Sequence, residues 1–62
     1  MTTDKDFLER SLINEQETVR DYQRFSELTN NPELRKMFKE FAESEGVQAQ
    51  KIKNVLENWS DE

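Results

Sequence analysis

Apolar residues recur at helical spacing along nearly the whole chain. Steps of three, four or seven residues place such positions on one stripe of an α-helix. The first half carries one stripe at Leu8, Leu12, Val19 and Tyr22. The second half carries another at Leu34, Phe38, Phe41, Ile52, Leu56 and Trp59. The strict alternation of apolar and polar residues that indicates a β-strand is absent, so the pattern predicts an all-α chain.

The strongest interruption of the helical pattern lies near the middle of the chain, at Asn30, Asn31 and Pro32. Asn30 suits a helix C-terminus in the left-handed region, Asn31 suits an N-cap, and Pro32 suits the first position of a helix. With only one glycine and one proline in the chain, no other segment has comparable turn chemistry. We therefore expect one tight turn between two antiparallel helices.

The helix boundaries follow from residues that cap helix ends. Thr3 followed three residues later by Asp6 is typical of a capping box, in which each residue bonds the other's backbone N–H. The predicted helices span about residues 4–29 and 32–59, and residues 60–62 are expected to fray.

The apolar stripes are too broad for the contact between two helices. Further apolar residues widen them on both sides: Phe7, Ile13, Phe25, Leu28, Met37, Val47 and Val55. A single hairpin cannot cover both flanks of such stripes. The pattern therefore predicts that two copies pack as a homodimer, forming a four-helix bundle.

Composition limits the function more than it defines it. The 62 residues form one small domain, 1–62, and contain no cysteine and no histidine. Thiolate and imidazole ligands, disulfides and histidine-assisted nucleophiles are therefore absent. The net charge of −5 argues against a nucleic-acid partner. No apolar run is long enough to span a membrane, and the N-terminus lacks a signal-peptide core, so we expect a cytoplasmic protein.

Two acidic residues interrupt the stripes. Glu15 fills a gap in the first and Glu45 a gap in the second, with Gln48 three residues further on. If the chain reverses near residue 30, the two glutamates face each other, and a dimer brings four carboxylates to one level. Tyr22 lies two turns beyond Glu15, where its hydroxyl is a candidate hydrogen-bond partner for a carboxylate of the other helix.

Buried carboxylates at close range must be protonated, paired with Lys or Arg, hydrated, or bound to cations. Carboxylate oxygens suit iron or manganese, and Gln48 can add a carbonyl oxygen. Glu15, Glu45 and Gln48 are therefore candidate metal ligands. The same residues also suit a metal-free polar layer that fixes the register and the oligomeric state.

Several motifs together resemble a known family. The first helix contains Glu15-x6-Tyr22, and the second begins with Asn31-Pro32-Glu33-Leu34-Arg35 and continues as Phe38-x2-Phe41-Ala42-x2-Glu45-x2-Gln48. Over about residues 12–57 this is similar to rubrerythrin-like proteins of the ferritin-like superfamily. The resemblance implies a four-helix bundle holding a di-iron or di-manganese centre, with Glu15 and Glu45 as ligands, built here by dimerisation because the chain has one copy of the half-motif.

The chain departs from that family at one ligand position. The resemblance implies a histidine at residue 48, where this chain has Gln48. Losing the nitrogen donor implies weaker metal binding, a changed metal preference, or a site kept as a polar layer, and it argues against the peroxidase or ferroxidase activity of the family. Two functions follow: a homodimeric ferritin-like protein with an altered di-metal carboxylate site, or a non-catalytic structural or partner-binding module.

Overall fold

Two antiparallel helices account for nearly all of the chain. The computed structural model describes residues 3–59, in which α1 spans Asp4–Leu28 and α2 spans Pro32–Glu57. A turn of three residues joins them. The predicted hairpin is confirmed, although α2 ends two residues earlier than expected because the side chain of Asn58 donates to the carbonyl of Asn54 (2.8 Å) and closes the last turn.

The start of α1 has the predicted capping box. Thr3 Oγ1 accepts a hydrogen bond from the backbone N–H of Asp6 (3.3 Å), and the Asp6 carboxylate accepts one from the backbone N–H of Thr3 (3.0 Å). Two backbone donors that the helix leaves unpaired are thereby satisfied, which fixes the first residue of the helix.

The start of α2 also follows the prediction. Asn31 Oδ1 accepts hydrogen bonds from the backbone N–H groups of Glu33 (2.9 Å) and Leu34 (3.2 Å). Pro32 occupies the first helical position, where its missing N–H costs nothing. The cap and the proline together set the end of the turn.

The expectation of a left-handed residue at Asn30 is wrong. None of the described residues has a positive φ, and Thr29, the C-cap that follows α1, is extended (φ −76°, ψ 141°). The Arg35 guanidinium donates to the Thr29 carbonyl (3.0 Å), and Thr29 Oγ1 accepts from the backbone N–H of Asn31 (3.2 Å). Side-chain hydrogen bonds therefore pair the Thr29 carbonyl and the Asn31 N–H in the turn, and no left-handed residue is needed.

The two helices meet along a seam of residues spaced three and four apart. Tyr22 pairs with Phe38 and Glu15 with Glu45, so facing positions have numbers that add to 60. The most buried seam residues are small: Ser26 is 4% exposed and Ala42 is 8% exposed. The seam consists of Leu8, Leu12, Glu15, Val19, Tyr22 and Ser26 on α1, and Phe38, Ala42, Glu45, Ala49, Ile52 and Leu56 on α2.

One broad side of the hairpin is apolar and uncovered. The structure measures 50 × 20 × 11 Å, so it is a single layer of helices, whereas stable domains pack at least two layers. Its accessible surface of 5186 Å² exceeds by several hundred Å² the roughly 4,250 Å² expected of a compact monomer of this mass. Six side chains that are 36% to 56% exposed form what we call the apolar face: Phe7, Phe25, Leu34, Met37, Phe41 and Val55.

The apolar face lies on one side of the hairpin. Successive helical residues are about 100° apart, and this places the six side chains on the same side of the seam in both helices. Ring contacts agree: Phe25 of α1 reaches Phe38 at 5.6 Å, and Phe41 of α2 reaches Tyr22 at 5.3 Å. Within residues 3–59, neither helix is long and apolar enough to cross a membrane.

Candidate metal centre

The structure brings the two predicted carboxylates together at mid-length. Glu15 lies near the middle of α1 and Glu45 near the middle of α2, and both side chains are half-buried in the seam. The 3–4 spacing of the stripes places each on the facing side of its helix. The short turn then sets the register that makes them neighbours.

The Glu15 carboxylate has an unsatisfied buried oxygen. Glu15 Oε2 is shielded from solvent and has no hydrogen-bond donor among the described residues. The pKa of Glu15 is raised above its ordinary value, first because its carboxyl can hydrogen-bond to Glu45, then because of burial, and third because of repulsion from the Glu45 charge. Each of these causes disfavours a second negative charge.

The contact between the two glutamates therefore needs compensation for its negative charge. Ionised carboxylates are acceptors only, so they can hydrogen-bond to each other only when one carries a proton. No salt bridge from a Lys or Arg within residues 3–59 reaches either glutamate. The remaining ways to stabilise both charges are a shared proton, water, or a cation.

Gln48 lies on the apolar face and not in the seam. Leu34, Phe41, Gln48 and Val55 follow one another at intervals of seven residues, so they form one row along α2. Gln48 is the polar member of this row; its side chain is exposed and makes no hydrogen bond with the rest of the described chain. Gln48 lies three residues after Glu45 and is therefore its neighbour on the helix surface. Its side-chain amide has no hydrogen-bond partner among residues 3–59.

Tyr22 forms the centre of an aromatic cluster. Its ring stacks on Phe38 at 6.2 Å, and meets Phe41 at 5.3 Å and Phe25 at 6.3 Å in edge-on contacts. Within residues 3–59 its hydroxyl makes no hydrogen bond, so the proposed link from Tyr22 to a carboxylate is not formed inside one hairpin. Its contribution to the single chain is packing.

One chain supplies too few ligands for a protein metal site. Among residues 3–59 there is no group of three or more acidic, histidine or cysteine side chains that could hold a metal ion. The glutamate pair offers two carboxylates, and its buried, donor-free oxygen suits a cation. The donor set fits iron or manganese in chemical type, but it is half of the usual number of carboxylates.

The most buried of the described residues is polar, so the apolar pattern of the sequence does not mark it. Ser26 lies four residues after Tyr22, which is the next seam position, and its hydroxyl donates to the Gln23 carbonyl (2.7 Å). The spacing alone contained the signal, because a small residue at this position lets the helices approach closely.

The fold and site define a class: a helical hairpin with a carboxylate pair in the middle of its seam. The Rubrerythrin family model matches residues 6–62, which is nearly the entire chain, so the chain belongs to the rubrerythrin family. This confirms the resemblance found over residues 12–57. No curated protein and no solved structure matches the chain significantly.

Proposed function

We propose that the protein is a homodimeric four-helix bundle whose centre binds divalent cations through Glu15 and Glu45 of both copies. The observation that carries this proposal is the buried Glu15 oxygen without a donor, in contact with a second carboxylate. A bound cation would coordinate the unpaired oxygen and also reduce the repulsion between the two carboxylates.

The uncovered apolar face supports the dimer. A standard protein interface buries about 800 Å² on each partner, which is comparable to the excess surface of the hairpin. Covering this face with an identical face gives the second layer that a helical domain needs. Every copy of the chain carries the same apolar face, so a second copy is the simplest partner to cover it.

The position of the glutamates supports a shared site. They lie at the middle of the helices. Any two-fold dimer in which the hairpins lie side by side over their full length therefore brings both glutamate pairs to the same level. Glu45 is one helical turn from Phe41 and from Gln48, which both lie on the side where the second copy packs. Four carboxylates then surround one small volume.

The four carboxylates carry a charge of −4, which two divalent cations neutralise. Glu15 and Glu45 of each copy would hold them, and the exposed amide of Gln48 would supply a carbonyl oxygen or a hydrogen bond. Iron or manganese is the cation class that the ligands and the family favour. Such metals supply one-electron redox chemistry when bound.

Metal binding is tested by thermal unfolding in the presence of cations. The purified protein is stripped with chelator and then titrated with ferrous ion under anaerobic conditions, and separately with manganous ion. At cation concentrations about 100 times Kd, binding adds roughly 2.7 kcal/mol of stability, which raises Tm by about 10 °C or more. Glu15→Gln and Glu45→Gln should each abolish most of this increase.

Two matched variants control for the loss of a negative charge. Glu17→Gln and Glu43→Gln each remove an exposed carboxylate two residues from the site, and should keep the metal-dependent increase in Tm. If cations do not raise Tm, or raise it equally in the seam variants, the metal site is excluded. The remaining function is then a structural or partner-binding module with a metal-free carboxylate layer, to which Gln48 is suited as a neutral residue.

A further inference from the structure

The side of the hairpin that carries the apolar face is polar at its centre. Four uncharged polar residues there each lie seven positions from a member of the apolar face, and residues seven apart share one side of a helix. We call these four residues the central band: Asn14, Thr18, Ser44 and Gln48. The apolar face therefore consists of two apolar ends with a polar segment between them.

The central band is placed in the same way around both glutamates. On α1, one band residue directly precedes Glu15 and the other follows it by three positions. On α2, the two band residues have the same offsets from Glu45. The band therefore covers about 6 Å of each helix at the level of the carboxylates. Because this level lies at mid-length, a second copy on the apolar face brings its own band against this one.

Most of the central band has no hydrogen-bond partner in a single chain. Thr18 Oγ1 donates to the Asn14 carbonyl (2.8 Å). The side chains of Asn14, Ser44 and Gln48 are exposed and form no hydrogen bond with other described residues of the range 3–59. Covering this side with a second copy takes their amides and hydroxyls out of bulk water, and buried polar groups need partners. The partners must therefore lie at the level of the carboxylates.

The central band is also the part of this side with the smallest side chains. Phe7, Phe25 and Phe41 project at the two ends, so they make the first contacts with an identical face. The serine, threonine and asparagine side chains at the centre are shorter, so opposed bands leave space between them. Polar space of this kind holds ordered water, each molecule making about three hydrogen bonds to groups that otherwise lack partners.

The ligands available beside this space are oxygen atoms. Glu15 and Glu45 supply carboxylate oxygens, Gln48 supplies an amide carbonyl, and the chain has no histidine and no cysteine. Imidazole favours zinc, copper and iron, whereas carboxylate, carbonyl and water favour Mg²⁺ and Mn²⁺. Proteins bind Mg²⁺ through one or two carboxylates and leave several of its waters in place. The glutamate pair and the central band match that pattern.

We infer that each glutamate pair holds a hydrated hard cation, of the class of Mg²⁺ and Mn²⁺, whose water ligands are hydrogen-bonded by the central band. The carboxylates neutralise the cation, and the amides and hydroxyls orient its water. Asn14, Ser44 and Gln48 are then positioning residues that act on the cation through water. The hydrated site rests on the proposed dimer and metal centre, and it adds the class of cation and the residues that hold its water.

Pulsed electron paramagnetic resonance of the manganous form counts the bound water directly. The purified protein is stripped with chelator, dialysed, loaded with less than one equivalent of Mn²⁺ per chain, and exchanged into deuterated water. The deuterons coupled to the metal then report the water ligands. Roughly two or more waters are expected on each bound ion. A bound ion with one water or none contradicts the hydrated site.

Magnesium ion tests the class of cation. In large excess, Mg²⁺ should raise the Tm of the stripped protein and displace bound Mn²⁺, because oxygen ligands and water suit both ions. Glu15→Gln should abolish both effects. Glu17→Gln removes an exposed carboxylate two residues away and should preserve both. Failure of Mg²⁺ to displace Mn²⁺ contradicts the assignment to hard cations.

Variants of the central band distinguish a role toward water from a role in packing. Asn14→Leu combined with Ser44→Leu fills the space and removes an amide and a hydroxyl from each chain. The double variant should remain a dimer in sedimentation, because it extends the apolar face. It should bind Mg²⁺ roughly tenfold more weakly in calorimetric titration, and its Mn²⁺ form should carry fewer waters.

Gln16→Leu is the matched control for these substitutions. Gln16 is exposed and lies two positions from both Asn14 and Thr18, which places it about 200° around α1 from the central band. The control should change neither the affinity for Mg²⁺ nor the number of waters. An equal loss of affinity in Gln16→Leu would contradict a specific role for the band.

The outcomes separate the hydrated site from the proposed function. If no cation raises Tm, the metal centre and the hydrated site are both wrong. If Mn²⁺ binds without water, or Mg²⁺ does not displace it, the metal centre stands and the hydrated site is wrong. An unchanged Mg²⁺ affinity in the double variant contradicts the role of the central band. The count of waters uses the wild-type protein, so it decides the question even if the double variant fails to fold.

Discussion

The part of the hairpin near the turn and the part at mid-length differ in how completely one chain provides partners for their side chains. Near the turn, Tyr22, Phe25, Phe38 and Phe41 pack against one another with ring centroids 5.3 to 6.3 Å apart. At mid-length, equivalent seam positions hold two carboxylates, and one of their oxygens has no donor. The aromatic part stabilises the hairpin. The acidic part has a carboxylate oxygen for which the described residues of the hairpin provide no hydrogen-bond donor.

The largest expected effect comes from breaking the aromatic part. Phe38→Ala removes a ring that contacts both Tyr22 and Phe25, and should lower the free energy of unfolding by about 3 kcal/mol. Urea or thermal denaturation measures this loss. Val47→Ala truncates an apolar side chain that lies outside the seam, and should cost less than about 0.5 kcal/mol. If the two variants lose the same free energy of unfolding, the aromatic cluster does not stabilise the hairpin more than an exposed apolar side chain does.

Replacing an acidic seam residue should have the opposite sign. In chelator, Glu45→Leu should raise the free energy of unfolding, because it removes the carboxylate that faces Glu15 in the seam and adds an apolar contact. Manganous ion should then stabilise the wild type and not the variant. Glu43→Leu, at an exposed position, is the matched control. A destabilised Glu45→Leu variant in chelator would show that the carboxylate is already well compensated.

A third variant changes the neighbour of the carboxylates. Gln48→His restores the nitrogen donor that the family resemblance implies, so it should tighten metal binding by roughly tenfold or more. Calorimetric titration of the stripped protein measures the change in Kd. Gln50→His adds the same imidazole two residues away and should leave Kd unchanged. An unaltered Kd in Gln48→His would place residue 48 away from the metal.

The smallest effect expected is a dependence of stability on pH. Folding raises the pKa of Glu15, so the folded state favours the protonated carboxyl. The resulting stability is fully present below the ordinary glutamate pKa of about 4.3, and is lost as pH rises through the raised value. Glu15→Gln has no such titration. In chelator, the Tm of the wild type relative to Glu15→Gln should therefore fall as the pH rises above about 4.3, and a constant difference would contradict the raised pKa.

The sequence predicted the hairpin well because its signals are local. The side chains of Thr3, Asp6 and Asn31 bond to backbone groups within three residues, and Pro32 occupies the first helical position, so the boundaries can be read without knowing the rest of the fold. The turn was less predictable: its actual partner, Arg35, reaches back six residues to the Thr29 carbonyl. No local rule anticipates that contact.

The site was predictable in position and not in detail. The gaps at Glu15 and Glu45 predicted two facing carboxylates, because the stripes and the turn fix the register. The donor-free Oε2 of Glu15 depends on side-chain packing in three dimensions.

A layer one helix thick has consequences for the protein at low abundance. Under the proposed dimer, each copy provides the interior of the other, so folding and assembly form one equilibrium. Dilution then acts as a denaturant, and Tm should increase with protein concentration. In a cell, the amount of functional protein would rise more steeply than the rate of its synthesis.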